Sequence, residues 1–94
     1  HVDEVSKVLT IKRIKGSHQI KFSKSKKLSK YIAKKGSIAV DGVSLTINST
    51  DSKSFSVNIV PYTWDHTNFN ELKLNSLINV EVDMLARYVS QNLT

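Results

Sequence analysis

The sequence predicts a mainly β protein: about six short strands closed into a small barrel, with one short internal helix and a C-terminal helix. Three observations predict it. Apolar and polar residues alternate over short runs such as Gln19-Ile20-Lys21-Phe22 and Val43-Ser44-Leu45-Thr46-Ile47. Turn signals at Lys15-Gly16-Ser17, Asp41-Gly42 and Asn75-Ser76 separate those runs. Helical spacing replaces alternation in only two places, around Leu28 and after Asp83.

Residues 2–14 hold apolar residues at Val2, Val5, Val8, Leu9, Ile11 and Ile14, and the tail of that run, Leu9, Ile11 and then Ile14, reads as a strand with one irregular step. Lys15-Gly16-Ser17 turns the chain into a second strand through Phe22, so the pair reads as a hairpin. Over 25–35 the period changes. Leu28, Tyr31 and Ile32 lie at i, i+3 and i+4, on one face of a helix of about two to three turns. Ser25 suits its N-cap, Lys34 and Lys35 its last turn, and Gly36 the residue just beyond it. Ser37–Val40 and Val43–Ser49 are strands joined by Asp41-Gly42, where a type I′ turn demands positive φ at both positions. After a polar loop at 50–53, Phe55–Val60 alternates, with Phe55, Val57 and Ile59 on one face and Ser56, Asn58 and Val60 on the other. Pro61 ends it, having no N–H for a ladder. The stretch 62–70 reads as irregular or briefly helical, Leu77–Val82 as the last strand, and Asp83 as the N-cap of a closing helix over 84–92.

Ninety-four residues make one domain, and a hydrophobic fraction of 39% provides for a core. No cysteine is present, which excludes disulfides and thiolate chemistry and fits a reducing compartment. Without a signal peptide or an apolar run of about 18 residues, the chain reads as soluble and cytoplasmic, with no membrane partner. A start at His1 rather than Met points to a piece of a longer protein, or a processed one. The net charge of +6 is uneven: Lys21, Lys24, Lys26, Lys27, Lys30, Lys34 and Lys35 crowd together. Such a run is ordinarily a solvated face, but it can also attract nucleic acid or a phosphate-bearing ligand.

No phosphate loop, zinc pattern or nucleophile elbow occurs. His1, His18 and His66 lack metal-ligand spacing, so no metal is expected. Ser44 and Thr46 share the face of their strand opposite Val43, Leu45 and Ile47. If the apolar face lines the barrel, the two hydroxyls point outward, either as plain solvated strand residues or as ligand contacts.

The blocks KGSIAVDGVSLTI, FSVNIVPYTWDHTNFNELK and INVEVDMLARYV, with the opening HVDEVSKV, resemble the riboflavin synthase family (alpha-chain type) over the whole chain and in the same order. The likeness is to the second of that family's two homologous barrels, the C-terminal lumazine-binding barrel. The first barrel carries a cysteine in the corresponding strand and this chain has none. The resemblance implies a six-stranded Greek-key barrel over residues 1–94, a homotrimer for the full-length protein, and no cofactor. It implies transfer of a four-carbon unit between two molecules of 6,7-dimethyl-8-ribityllumazine, giving riboflavin and a ribitylamino-pyrimidinedione. Each site would be shared with the N-terminal barrel of a neighbouring subunit. By the same resemblance Ser44, Thr46, Val60, Thr63 and Asp83 bind substrate, and His1 lies near the reacting ends. Asp83 can serve as helix cap and ligand contact at once, through its two oxygens. The family pattern is altered at Trp64-Asp65-His66, usually Leu-Glu-Arg, and at Asn75-Ser76, usually Gly-Asp.

Two further readings come from other classes. One is a non-catalytic lumazine- or flavin-binding protein; the presence of Ser44, Thr46, Thr63 and Asp83 favours the enzyme over it. The other is a basic barrel for single-stranded nucleic acid, which is disfavoured. It needs exposed aromatics for base stacking, and the strands offer only Phe22 and Phe55, both placed for the core.

Overall fold

The first strand is one continuous element that serves two neighbours. In the computed structural model, which describes residues 2–82, β1 (Val2–Ile14) pairs with β6 (Leu77–Val82) through its first half. Its second half pairs with β2 (Ser17–Ser23). The change of partner coincides with a bulge: Val8 faces Phe22, but the next pairs are Thr10 with Lys21 and Ile11 with Ile20, so Leu9 is the extra residue. The irregular step therefore lies at Leu9 and not between Ile11 and Ile14. The bulge keeps Val8 in the core and leaves Leu9 partly exposed.

Four more strands complete the wall: β3 (Ser37–Val40), β4 (Val43–Thr50), β5 (Ser54–Ile59) and β6. All pairings are antiparallel, and the order β1-β2-β5-β4-β3-β6 closes on itself. The successive strands β3, β4 and β5 are neighbours, and β6 returns to lie beside β3. The inward residues form one core that includes Val8, Ile20, Phe22, Val57, Ile59 and Val80, all without exposed surface. Burying a side chain of this size stabilises by about 1.5–3 kcal/mol. Phe22 and Phe55 face each other across β2 and β5, ring centroids 5.3 Å apart, so neither is free to stack a base.

The turns follow the sequence closely. Lys15 and Gly16 have φ of 49° and 85°, and Asp41 and Gly42 have 47° and 83°, the backbone of two-residue hairpins. Asn75 takes φ 71°, a conformation that Asn tolerates. Ser54 and Ser56, on the outer side of β5, are nonetheless buried; the Ser56 hydroxyl meets that of Ser49 at 2.6 Å.

The internal helix is shorter than its periodicity predicts. The α1 segment covers only Lys26–Ser29, one turn, with the Ser25 hydroxyl accepting from the Leu28 N–H as its N-cap. The same hydroxyl donates to Glu4 at 2.8 Å, tying the helix to β1. Beyond it the chain is drawn into the wall instead of continuing as helix. The Lys35 N–H donates to the Ile47 carbonyl and the Ile47 N–H to the Gly36 carbonyl, both at 2.8 Å. Lys35, rather than Gly36, takes the left-handed φ of 70°. Gly36 is required for another reason: a Cβ there would sit 2.9 Å from the Ala33 carbonyl oxygen.

In the loop between β4 and β5, Asp51 accepts from the Lys53 and Ser54 N–H groups at 2.8 Å each and from the Ser54 hydroxyl. The Lys53 N–H is the main cause that holds its carboxyl below the ordinary 3.8, helped by the Ser54 hydroxyl and N–H and by the charge of Lys21. A lowered pKa means that this contribution to stability is complete above the ordinary value and is lost as pH falls through the lower folded value. Asp51→Asn is therefore expected to flatten the acid limb of a stability-against-pH curve, measured by urea unfolding between neutral pH and the low-pH limit, while leaving its neutral portion sloping as before.

Candidate functional site

The wall opens on one side because β4 divides its pairing. Residues 43–46 pair with β3, whereas β5 is met only from Ile47 onward: Ile47 with Val57, Ser49 with Ser56, Thr50 with Phe55. Asn48 is the extra residue of a bulge in that ladder. Between 43–46 and the end of β5 the two strands face each other without a ladder.

Backbone alternation decides which groups face the gap. Val40 and Val43 flank a two-residue hairpin, so they form a hydrogen-bonded pair, as do Ile38 and Leu45 two steps on. Ile47 continues this series through its bond to Gly36. The N–H and C=O groups of Ser44 and Thr46 then point away from β3, into the opening. By the same count from the Lys15-Gly16 hairpin, Ile59 and Val57 bond to β2, and Asn58 turns its backbone groups to the gap.

The result is a groove of about 470 Å³ on the outside of the barrel. Ser44 and Thr46 stand along one side, exposed as their alternation predicts. Asn58, Val60 and Thr63 stand along the other, and Val60 is 53% exposed. Lys34, Lys35 and Asn48 close the end beside Ile47. Among the described residues, the hydroxyls of Ser44, Thr46 and Thr63 and the amides of Asn48 and Asn58 have no hydrogen-bond partner. These are polar groups arranged around a slot and left for a ligand or water to satisfy.

A short helix, α2 (Pro61–His66), carries Thr63 to the groove. Pro61 ends β5 and also starts this helix, where its missing N–H costs nothing. Trp64 holds the helix down. Its ring stacks on His18 of β2, centroids 3.5 Å apart and planes 5° from parallel. The His18 Nδ1 is buried there without a hydrogen-bond partner. The following turn, a 3₁₀ segment at Asn68–Glu71, is capped by the Thr67 hydroxyl and anchored by buried Phe69. His66 lies on the exposed side of α2, stacked on Tyr62 at 4.0 Å, and does not line the groove.

Of the six residues singled out in the sequence, four (Ser44, Thr46, Val60 and Thr63) converge on this groove. His1 and Asp83 lie outside the described residues, as does the closing helix expected over 84–92. Lys34, Lys35, Asn48 and Asn58 were not singled out as site residues. Alternation alone places Asn48 in line with Ser44 and Thr46, and Asn58 beside Val60; the two lysines carry no such signal. Among the described residues no group of three or more His, Asp or Glu side chains could hold a metal ion, and no helix is long and apolar enough to cross a membrane.

The family model of the lumazine binding domain matches residues 1–83. The chain belongs to the lumazine-binding domain family. Among curated members, riboflavin synthase of Actinobacillus pleuropneumoniae is 39% identical over 93 residues, covering 99% of this chain and 43% of that protein. Riboflavin synthase of Photobacterium phosphoreum is 38% identical over 93 residues with the same coverage. The chain thus spans less than half the length of these relatives. The lumazine-binding fold is also seen in crystal structures of LumP. The complex with riboflavin superposes with a TM-score of 0.80 at 20% identity, over 86% of this chain and 44% of that one. The complex with flavin mononucleotide gives 0.79 at 20% identity, over 87% and 46%.

Proposed function

We propose that this chain is the C-terminal lumazine-binding barrel of a riboflavin synthase, a single domain that holds 6,7-dimethyl-8-ribityllumazine or riboflavin in the groove between β4 and β5. One observation carries the reading: two strand edges face each other unpaired, with the Ser44 and Thr46 hydroxyls standing over the gap. A flat heterocycle with carbonyl and ring-nitrogen edges can take the place of the missing ladder, bonding to backbone groups as an added strand does. Val60 gives it an exposed apolar surface and Thr63 a hydroxyl. The ribityl chain needs matched donors and acceptors, which Ser44, Thr46 and Asp83 would supply. The strand order, with β6 returning beside β3, supports the Greek-key connectivity of the same assignment.

The reaction asks for two lumazines face to face. The groove between β4 and β5 takes one reactant, so the second would lie on the N-terminal barrel of a neighbouring subunit in a trimer, with His1 near the reacting ends. The cytoplasm is the compartment that suits such a biosynthetic enzyme. The test is a riboflavin titration followed by Trp64 fluorescence, Trp64 being adjacent to Thr63 and the sole tryptophan. Saturable one-to-one binding is expected, and Ser44→Ala and Asp83→Ala are each expected to weaken it about five- to tenfold, the net effect of one hydrogen bond. No saturation rejects the proposed site, and unchanged affinity in both variants rejects those two contacts.

A further inference from the structure

We propose that His18 is a positioning residue for ligand binding: through its stack on Trp64 it sets Thr63 at the groove, and so tunes the affinity of a site that it does not itself line. The inference rests on the reading above, in which Thr63 offers its hydroxyl to the ligand, and adds a residue on another strand.

Thr63 rides on an element with little hold of its own. The α2 helix is six residues long and has no fully buried side chain. A helix that short is unstable without outside contacts. Trp64 is its one apolar side chain packed against the core, and Trp64 is adjacent to Thr63. His18 is where that contact lands. It shares the inward register of β2 with Ile20 and Phe22, both without exposed surface, so its ring stands at the end of the barrel and not on the outer wall. Its partner across the sheet on β5 is Ile59, the residue before Val60. The imidazole is therefore a platform beside the point where the chain leaves β5 for α2. The indole lies flat on it, planes 5° from parallel and centroids 3.5 Å apart, which fixes both the height and the tilt of Trp64. The Nδ1 atom is buried there without a hydrogen-bond partner, so the ring contributes its face and no polar contact through that atom. The far end of the segment is secured separately. The Thr67 hydroxyl donates to the Thr63 carbonyl at 2.7 Å, the Asn70 amide donates to the Trp64 carbonyl at 3.0 Å, and Phe69 is buried. These bonds join α2 and the 3₁₀ turn into one piece, pinned at one end by Phe69 and at the Thr63 end by the stack.

The experiment is a double-mutant cycle on the 94-residue chain, with riboflavin affinity read from quenching of flavin fluorescence. His18→Ala and Thr63→Ala are each expected to weaken binding about five- to tenfold, the net effect of one hydrogen bond. The double variant is expected to lie within about twofold of Thr63→Ala, because His18 acts through Thr63 and the losses do not add. His18→Phe restores a flat ring and is expected to bind within about twofold of the original chain. Urea unfolding checks that each variant is folded in the assay. Where His18→Ala does not fold, Trp64→Leu, which keeps apolar bulk and removes the stack, takes its place in the cycle. Affinity unchanged by His18→Ala, or by Thr63→Ala, overturns the inference and leaves riboflavin binding by the original chain standing. Losses that add in the double variant overturn it as well, since a general weakening of the fold does not depend on Thr63. His18→Phe binding as poorly as His18→Ala also overturns it. Failure of the original chain to bind riboflavin overturns the proposed function itself.

Discussion

Truncating Phe55 to alanine is expected to destabilise the barrel by about 3–5 kcal/mol, the cost typical of emptying a buried phenylalanine site. Phe55 is 1% exposed and sits on β5, between β2 and β4, opposite Phe22 on one side and Thr50 on the other. Its ring meets that of Phe22 at a 33° tilt, so truncation also removes an aromatic contact. The site cannot collapse cheaply, because β5 is held by ladders on both edges. A domain of this size has a total stability of about 5–15 kcal/mol, so the variant is expected to lose about a fifth or more of it. Urea unfolding followed by Trp64 fluorescence measures the change, and a loss under about 1 kcal/mol would mean that Phe55 does not hold the two halves of the wall together.

The parts of the fold legible in the sequence are those fixed by local geometry. Asp41-Gly42 has the positive φ pair that its turn type demands, and Leu77–Val82 buries alternate residues as its pattern requires. Strand β5 is displaced by one residue, running Ser54–Ile59, because Val60 serves as the N-cap residue of α2. What was not legible depends on contacts far apart in the chain. Leu28, Tyr31 and Ile32 have helical spacing, and Leu28 and Ile32 are buried, yet the helix stops at Ser29. The backbone bonds joining Lys35 and Gly36 to Ile47 outweigh continuation of the helix through 30–35, and the periodicity of 25–35 contains no trace of them. The groove is similar. That Ser44 and Thr46 face outward follows from alternation, but the opening beside them exists only because β4 leaves β5 at Ile47. Lys34 and Lys35 reach its rim through that same departure.

The largest functional effect is expected from isolation of the barrel. The 94-residue chain, given saturating 6,7-dimethyl-8-ribityllumazine, is expected to form riboflavin at less than about a thousandth of the rate of a complete two-barrel enzyme. The physical reason is proximity. Holding two reactants in a reactive orientation corresponds to effective concentrations of about 10⁵ M or more, far beyond what a dissolved second lumazine supplies. On the proposed reading, the groove between β4 and β5, about 470 Å³, would hold and orient one of the pair. The shortfall should be specific to turnover: binding, read from Trp64 fluorescence, remains saturable while product does not accumulate. Adding the missing N-terminal half as a separate chain should raise the rate if the two halves assemble. That experiment also separates the enzyme from a non-catalytic flavin carrier, since a carrier barrel would stay inactive with the partner half bound. Rapid riboflavin formation by the chain alone, measured by chromatography, would show that a single barrel or a dimer of identical barrels assembles both reactants, and the shared-site reading would fall.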